Sequence, residues 1–138
     1  MKDSVKAFIK NETTGKYLFV LRDNRPEIVE PNTRGLVWGG IDSTDDLIGA
    51  MKRKIKEELE LEVSDVKQIH TMPVTHTLNG ETHTVTGYYF LAKTNASLED
   101  IHLHKWQKAE FFNLDEIEKM DNVAIAVKEI LANHKDLL

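Results

Sequence analysis

One amphipathic helix, fed by a glycine-opened acidic loop and flanked on both sides by strand-like runs, constrains this 138-residue chain more than any other feature. Leu47, Ile48, Met51, Ile55 and Leu59 recur at helical spacing, which predicts an apolar stripe on a helix ending near Leu59. Ser43, Thr44 and Asp45 stand before it as N-cap residues, because their side-chain oxygens can accept the free amides of a first turn. The polar face carries Arg53, Lys54, Glu57, Glu58 and Glu60. Positions 54, 57 and 58 are related by i+3 and i+4, so their side chains share one patch. Glu57 and Glu58 point about 100° apart around the helix. Such a pair can hold a hard cation such as Mg²⁺ from one side while water and phosphate oxygens complete its octahedron. The plainer account is a solvated face laced by Arg53–Glu57 and Lys54–Glu58 pairs at i, i+4.

Around this helix the pattern has the period of strands. Val5–Lys10 and Tyr17–Leu21 read as strands across an Asn11–Gly15 turn, and Leu36-Val37-Trp38 runs into Gly39-Gly40. Val66–Thr71 and Val74–Leu78 read as two strands, Asn79-Gly80 as a two-residue hairpin turn, and Glu81–Ala92 as the return strand. That turn sets Leu78 opposite Glu81, Thr77 opposite Thr82 and His76 opposite His83. The two imidazoles then form a polar cross-strand contact or a pair able to share a metal. Ala109–Phe112 is a short strand, Asn113 caps a helix over Leu114–Met120, and Val123–Asn133 is the closing amphipathic helix. Asp23–Arg34, with Pro26 and Pro31, is a surface loop. The order predicts an α+β fold, a mixed sheet with helices packed on it.

Composition enters as exclusion. Hydrophobic residues make up 41% and charged residues 30%, which suits a packed core rather than disorder. No apolar run approaches the ~20 residues of a membrane helix. Met1–Lys6 has no apolar stretch behind its charges, as a signal peptide would. With no cysteine, thiol catalysis, disulfides and Cys-ligated zinc are ruled out. A formal net charge of −5 disfavours broad nucleic-acid binding. The expectation is a soluble, cytoplasmic chain, residues 1–138 forming one domain with no membrane association.

The stretch Gly39-x5-Asp45-x7-Arg53-Lys54-Ile55-Lys56-Glu57-Glu58-Leu59-Glu60-Leu61 resembles the Nudix box, G-x5-E-x7-R-E-U-x-E-E-x-G-U with U aliphatic. Gly39, Arg53, Ile55, Glu57, Glu58 and Leu61 match outright, Asp45 is a shorter acid, and Ala50 sits where the family often has alanine. Glu110-Phe111-Phe112-Asn113-Leu114-Asp115-Glu116-Ile117 is similar to the family's late strand and "W-x-x-L-D-E-L" helix start, so the likeness covers most of the chain. It implies a Nudix-like α/β/α sandwich and a hydrolase of a nucleoside diphosphate linked to another moiety, using Mg²⁺ or Mn²⁺. Carried over, Glu57 and Glu58 with Asp45 are metal ligands and Arg53 orients the carboxylates. Gly39 and Gly40 allow close approach of the substrate, and Arg22 meets its phosphate. The plainer account of Arg22 is an exposed arginine at a strand end. Partners implied are a small pyrophosphate or nucleotide, capped RNA as the one nucleic acid, and a second copy in a homodimer.

Two residues depart from the family pattern. Lys54 replaces a glutamate that serves as metal ligand or base, so the patch falls from three negative charges to a net of one. Glu60 replaces a glycine, at a cost of roughly 1 kcal/mol if the backbone there is left-handed. Substitutes for the missing acid are Asp42, Asp45, Glu60, Glu81, Glu99, Asp100 and His104, with His102 beside it. If Gly40 is the box glycine, the loop is one residue shorter. Trp38, Trp106, Tyr88, Tyr89 and Phe90 are core, one of them free to stack on a base. The rival to the enzyme is a silent Nudix-like sensor in which Lys54 stands in for the cation and holds phosphate. An oligomerisation module without ligand is the third reading.

Overall fold

The computed structural model describes residues 2–42 and 44–138, so Ser43 of the expected capping trio lies outside them. The sheet is built on β1 (Ser4–Asn11). Val5, Ala7 and Ile9 join one buried cluster and Phe8 the other, all fully buried, as strand alternation requires when both faces are covered. One edge of β1 runs parallel to β6 (Glu81–Thr94) over its whole length. Its other edge is shared. Ser4–Ala7 pair antiparallel with β4 (Val37–Gly40), while Ile9 and Lys10 pair with β2 (Tyr17–Leu21). β2 continues to β3 (Arg34–Gly35) and β7 (Lys108–Phe112), and β6 to β5 (Ser64–Leu78). The result is a mixed seven-stranded sheet.

Helices cover both faces. α1 (Leu47–Leu59) sets Met51, Ile55 and Leu59 against Val5, Ile9, Leu18 and Phe90. On the other face α2 (Leu114–Glu118) and α3 (Ile125–Asn133) bring Ile117, Val127 and Ile130 to Phe8, Phe19 and Tyr89. The stripe of α1 is rotated from the expected one, taking in Ala50 and leaving Ile48 40% exposed.

The N-cap is Asp46 rather than Thr44 or Asp45. Its backbone is extended and its Oδ2 accepts from the Gly49 N–H at 3.1 Å. Asp45 instead accepts from the Asp42 N–H at 2.9 Å and closes the loop ahead of the helix. The two strands expected at 66–78 are one continuous strand through Pro73. Proline is tolerated because β5 lies at the end of the sheet, where a missing N–H costs no ladder bond. The hairpin has the expected register, His76 opposite His83 and Leu78 opposite Glu81. Asn113 caps α2 through Glu116, although the helix stops at Glu118. α3 starts two residues later than expected because Val123 is held in a bridge with Arg34.

Asp46→Ala is expected to lower unfolding free energy by about 1 kcal/mol. Thr44→Ala should stay within about 0.5 kcal/mol of wild type. Urea unfolding of the two variants checks the cap assignment.

Candidate active site

The C-terminal end of α1 leaves carbonyls without helical partners. Residues 102–104 take two of them: the His104 N–H donates to the Glu58 carbonyl at 2.9 Å and the His102 N–H to the Leu59 carbonyl at 3.0 Å. This pins the segment that carries His104, Lys105 and Trp106 against the acidic face of the helix. Glu60 follows in the left-handed region, φ 52°, and its N–H donates to the Lys56 carbonyl. The strained position that the family fills with glycine is therefore occupied by a glutamate, at roughly 1 kcal/mol. Its carboxylate shares a hydrogen bond with His104 Nε2 at 2.5 Å, which holds the Glu60 carboxyl below its usual range.

Glu57 and Glu58 differ in environment. Glu58 lies seven residues after Met51 and three after Ile55, on the buried stripe, and its side chain is only 12% exposed. Burial pushes its pKa up, and the Lys105 and Lys54 charges pull it part of the way back. Trp106 adds a small pull in the same direction, yet neither Trp106 Nε1 nor Glu58 Oε2 has a hydrogen-bond partner within bonding geometry. Glu57 is 54% exposed, 3.8 Å from both Arg53 Nε and Lys54 Nζ. Lys54 thus pairs with Glu57, and the partner of Glu58 is Lys105 Nζ, also at 3.8 Å. The expected Lys54–Glu58 pair is replaced because residue 105 arrives from outside the helix.

Gly39 and Gly40 are strand residues, opposite Val5 and Ser4. A Cβ on Gly39 would stand 2.4 Å from Lys54 Cδ, so this glycine makes room for the lysine stem. At Gly40 the nearest neighbour would be Lys2, at 3.4 Å. Asp45 is occupied in its loop, and among the described residues no three His, Asp or Glu side chains converge as a metal group. The structure therefore does not gather Asp45, Glu57 and Glu58, nor does it make His76 and His83 part of such a group. The other acids are also engaged elsewhere: Asp42 with Lys2, Glu81 with His83, and Asp100 with the Ser97 N–H.

Arg22, just past β2, is 9% exposed rather than a free strand-end arginine. Its guanidinium carbon lies 5.5 and 5.4 Å from the Trp38 and Trp106 rings, and Lys105 Nζ lies 5.3 and 4.3 Å from the same rings. Burial lowers the Arg22 pKa, with Glu30 and Glu58 opposing that shift. Glu30 Oε2 is 4.0 Å away and also accepts from the Ile125 N–H at the start of α3. Arg22 Nε and both indole N–H groups are buried without an acceptor. Beyond Arg22 opens a cavity of about 250 Å³, lined by Lys6, Glu30, Thr75, His76 and Ile125. Burial, with the Arg22 charge adding to it, lowers the Lys6 pKa to about 8.

Glu57, Glu58 and Arg22 were named as candidates from the sequence, whereas Lys6, Glu30 and Lys105, which the structure brings beside Arg22 or Glu58, were not. A lysine set between Val5 and the apolar run Ala7-Phe8-Ile9 of the central strand was a readable sign for Lys6. For Glu30 and Lys105, both in irregular segments, the sequence carries no comparable sign.

A family model described as the NUDIX domain matches residues 2–133. The chain belongs to the Nudix family. No curated protein sequence matches it significantly. Among solved structures, the NUDIX domain of Shewanella oneidensis NrtR complexed with ADP ribose superposes with a TM-score of 0.74 at 18% identity, covering 100% of this chain and 89% of that one. MutT protein from Methanosarcina mazei Go1 gives 0.75 at 18% identity, covering 98% and 93%. The E. coli dihydroneopterin triphosphate pyrophosphohydrolase gives 0.70 at 14%, covering 95% of each chain. At these identities the likeness is one of fold.

Lys6 ties the cavity to a pH effect. Its folded-state pKa, about 8, lies below the ordinary 10.5, so between those values the unfolded chain binds the extra proton. Stability should then rise with pH over that window, by roughly 3 kcal/mol. Lys6→Met is expected to abolish that rise, checked by denaturant unfolding at pH 7 to 10.

Proposed function

We propose that the chain is a Nudix pyrophosphohydrolase that cleaves the diphosphate of a nucleoside diphosphate linked to another moiety, with Glu57 and Glu58 holding Mg²⁺ or Mn²⁺. The observation that carries this reading is Glu58 Oε2, a buried carboxylate oxygen without a donor beside an exposed second carboxylate. An orphaned anionic oxygen in a half-dry setting is stabilised by a cation. Two protein carboxylates suffice for Mg²⁺ when substrate phosphates supply further oxygens. When bound, the metal neutralises phosphate charge and lowers the pKa of water.

The chain's own residues do the remaining work. Arg53 steadies Glu57 from one side of the helix, and Lys105 and Trp106 confine Glu58. Arg22 offers the phosphate a guanidinium whose cost of burial is already met by the fold. The 250 Å³ cavity beyond it receives the moiety distal to the scissile bond. Fold relatives whose names carry ADP ribose and a pterin triphosphate support a phosphoanhydride as the ligand class.

One observation favours a second reading, the silent sensor. The Lys54 stem occupies the space over Gly39, and its ammonium replaces the third box carboxylate.

Turnover of nucleoside triphosphates, nucleotide sugars, dinucleotides and capped RNA with Mg²⁺ or Mn²⁺ tests the enzyme. Glu57→Gln and Glu58→Gln should each lower it at least about 100-fold, the upper range for disturbing a metal ligand's support. Absence of turnover across the panel overturns the enzyme reading. Turnover that appears only in Lys54→Glu supports the sensor.

A further inference from the structure

Charge around the two box carboxylates is inverted relative to an acidic metal site. Within 4.0 Å of Glu57 and Glu58 lie three cations, Arg53, Lys54 and Lys105. Each pair is separated by 3.8 Å, beyond hydrogen-bond reach, so no ammonium proton is committed to either carboxylate. Both lysines are nonetheless held in place: the Lys54 stem lies over Gly39, and Lys105 Nζ sits 4.3 Å from the centre of the Trp106 ring. Next to them Arg22 Nε, Trp38 Nε1 and Trp106 Nε1 are buried donors without acceptors. A buried donor left unpaired is destabilising, and an anion rich in oxygen acceptors is the kind of ligand that satisfies such donors.

We infer that Lys54 and Lys105, backed by Arg22, form a diphosphate receptor that works without a divalent metal, so that ligand binding and metal binding are separate events at this site. The inference rests on the reading that the diphosphate lies over Glu57 and Glu58. It adds an order: the anion binds to the resident cations, and its negative charge then makes the site acidic enough to attract a metal. Loose pairing is the physical basis, because swapping a 3.8 Å ion pair for a direct charged hydrogen bond to phosphate favours the ligand.

Calorimetric titration with inorganic pyrophosphate and with ADP, in EDTA and in Mg²⁺, is the test. Wild type is expected to bind in EDTA. Lys54→Met and Lys105→Met should each weaken that binding about tenfold, the scale of one charged hydrogen bond. Lys105→Arg should retain it, and Lys119→Met, away from the site, should leave it unchanged. Binding seen only with Mg²⁺, no binding in either buffer, or EDTA binding indifferent to both methionine variants overturns the inference. The hydrolase reading fails separately: binding in EDTA with no turnover of any phosphoanhydride leaves the receptor standing and removes the enzyme.

Discussion

The free carbonyls at the end of α1 organise this site. A helix cannot satisfy its last C=O groups by itself, and here His102 and His104 do so from a distant segment. The same segment continues to Gln107, whose N–H donates to the Leu21 carbonyl and whose side chain donates to the Arg22 carbonyl. One short stretch thereby ties the acidic helix to the strand end bearing Arg22. Lys105 and Trp106 lie between those anchors, which is why they meet Glu58 and Arg22. Without those backbone bonds Glu58 would be an exposed helix acid with a helical counter-ion.

Burial then sets the chemistry. Glu57 and Glu58 are neighbours in sequence, yet one faces water and the other continues the apolar stripe of Met51 and Ile55. Dehydration raises the pKa of Glu58 and lowers that of Arg22, so each favours a partner of opposite charge. The aromatic pair Trp38 and Trp106 makes this possible, since indole faces receive cations while excluding water. A site so arranged suits a dense anion, and under the proposed function Glu57 and Glu58 are the residues that would hold a metal beside it.

Much of this was readable from residues. The β1 alternation, the Asn79-Gly80 hairpin and its register, the Asn113 cap and the spacing from Gly39 to Leu61 are local patterns, and local patterns survive folding. The left-handed Glu60 was legible because the position after a helix so often needs that conformation. Legibility failed where two options were locally equal. Asp45 and Asp46 are both good caps, and the backbone path of the preceding loop chose the second. Pro73 reads as a break in any isolated strand, and only its place at the sheet's end makes it harmless.

By itself, the sequence determined the mixed α+β layering and the membership in the Nudix family, because hydrophobic period and motif spacing are one-dimensional properties. Only the tertiary structure decided that Lys105 rather than Lys54 faces Glu58, that Arg22 is buried, and that Lys6 and Glu30 border a cavity. The physical reason is distance along the chain. Residues 6, 22, 30, 58 and 105 have no sequence relation to one another, and their charges acquire meaning only when the sheet and the cap on α1 exclude water between them.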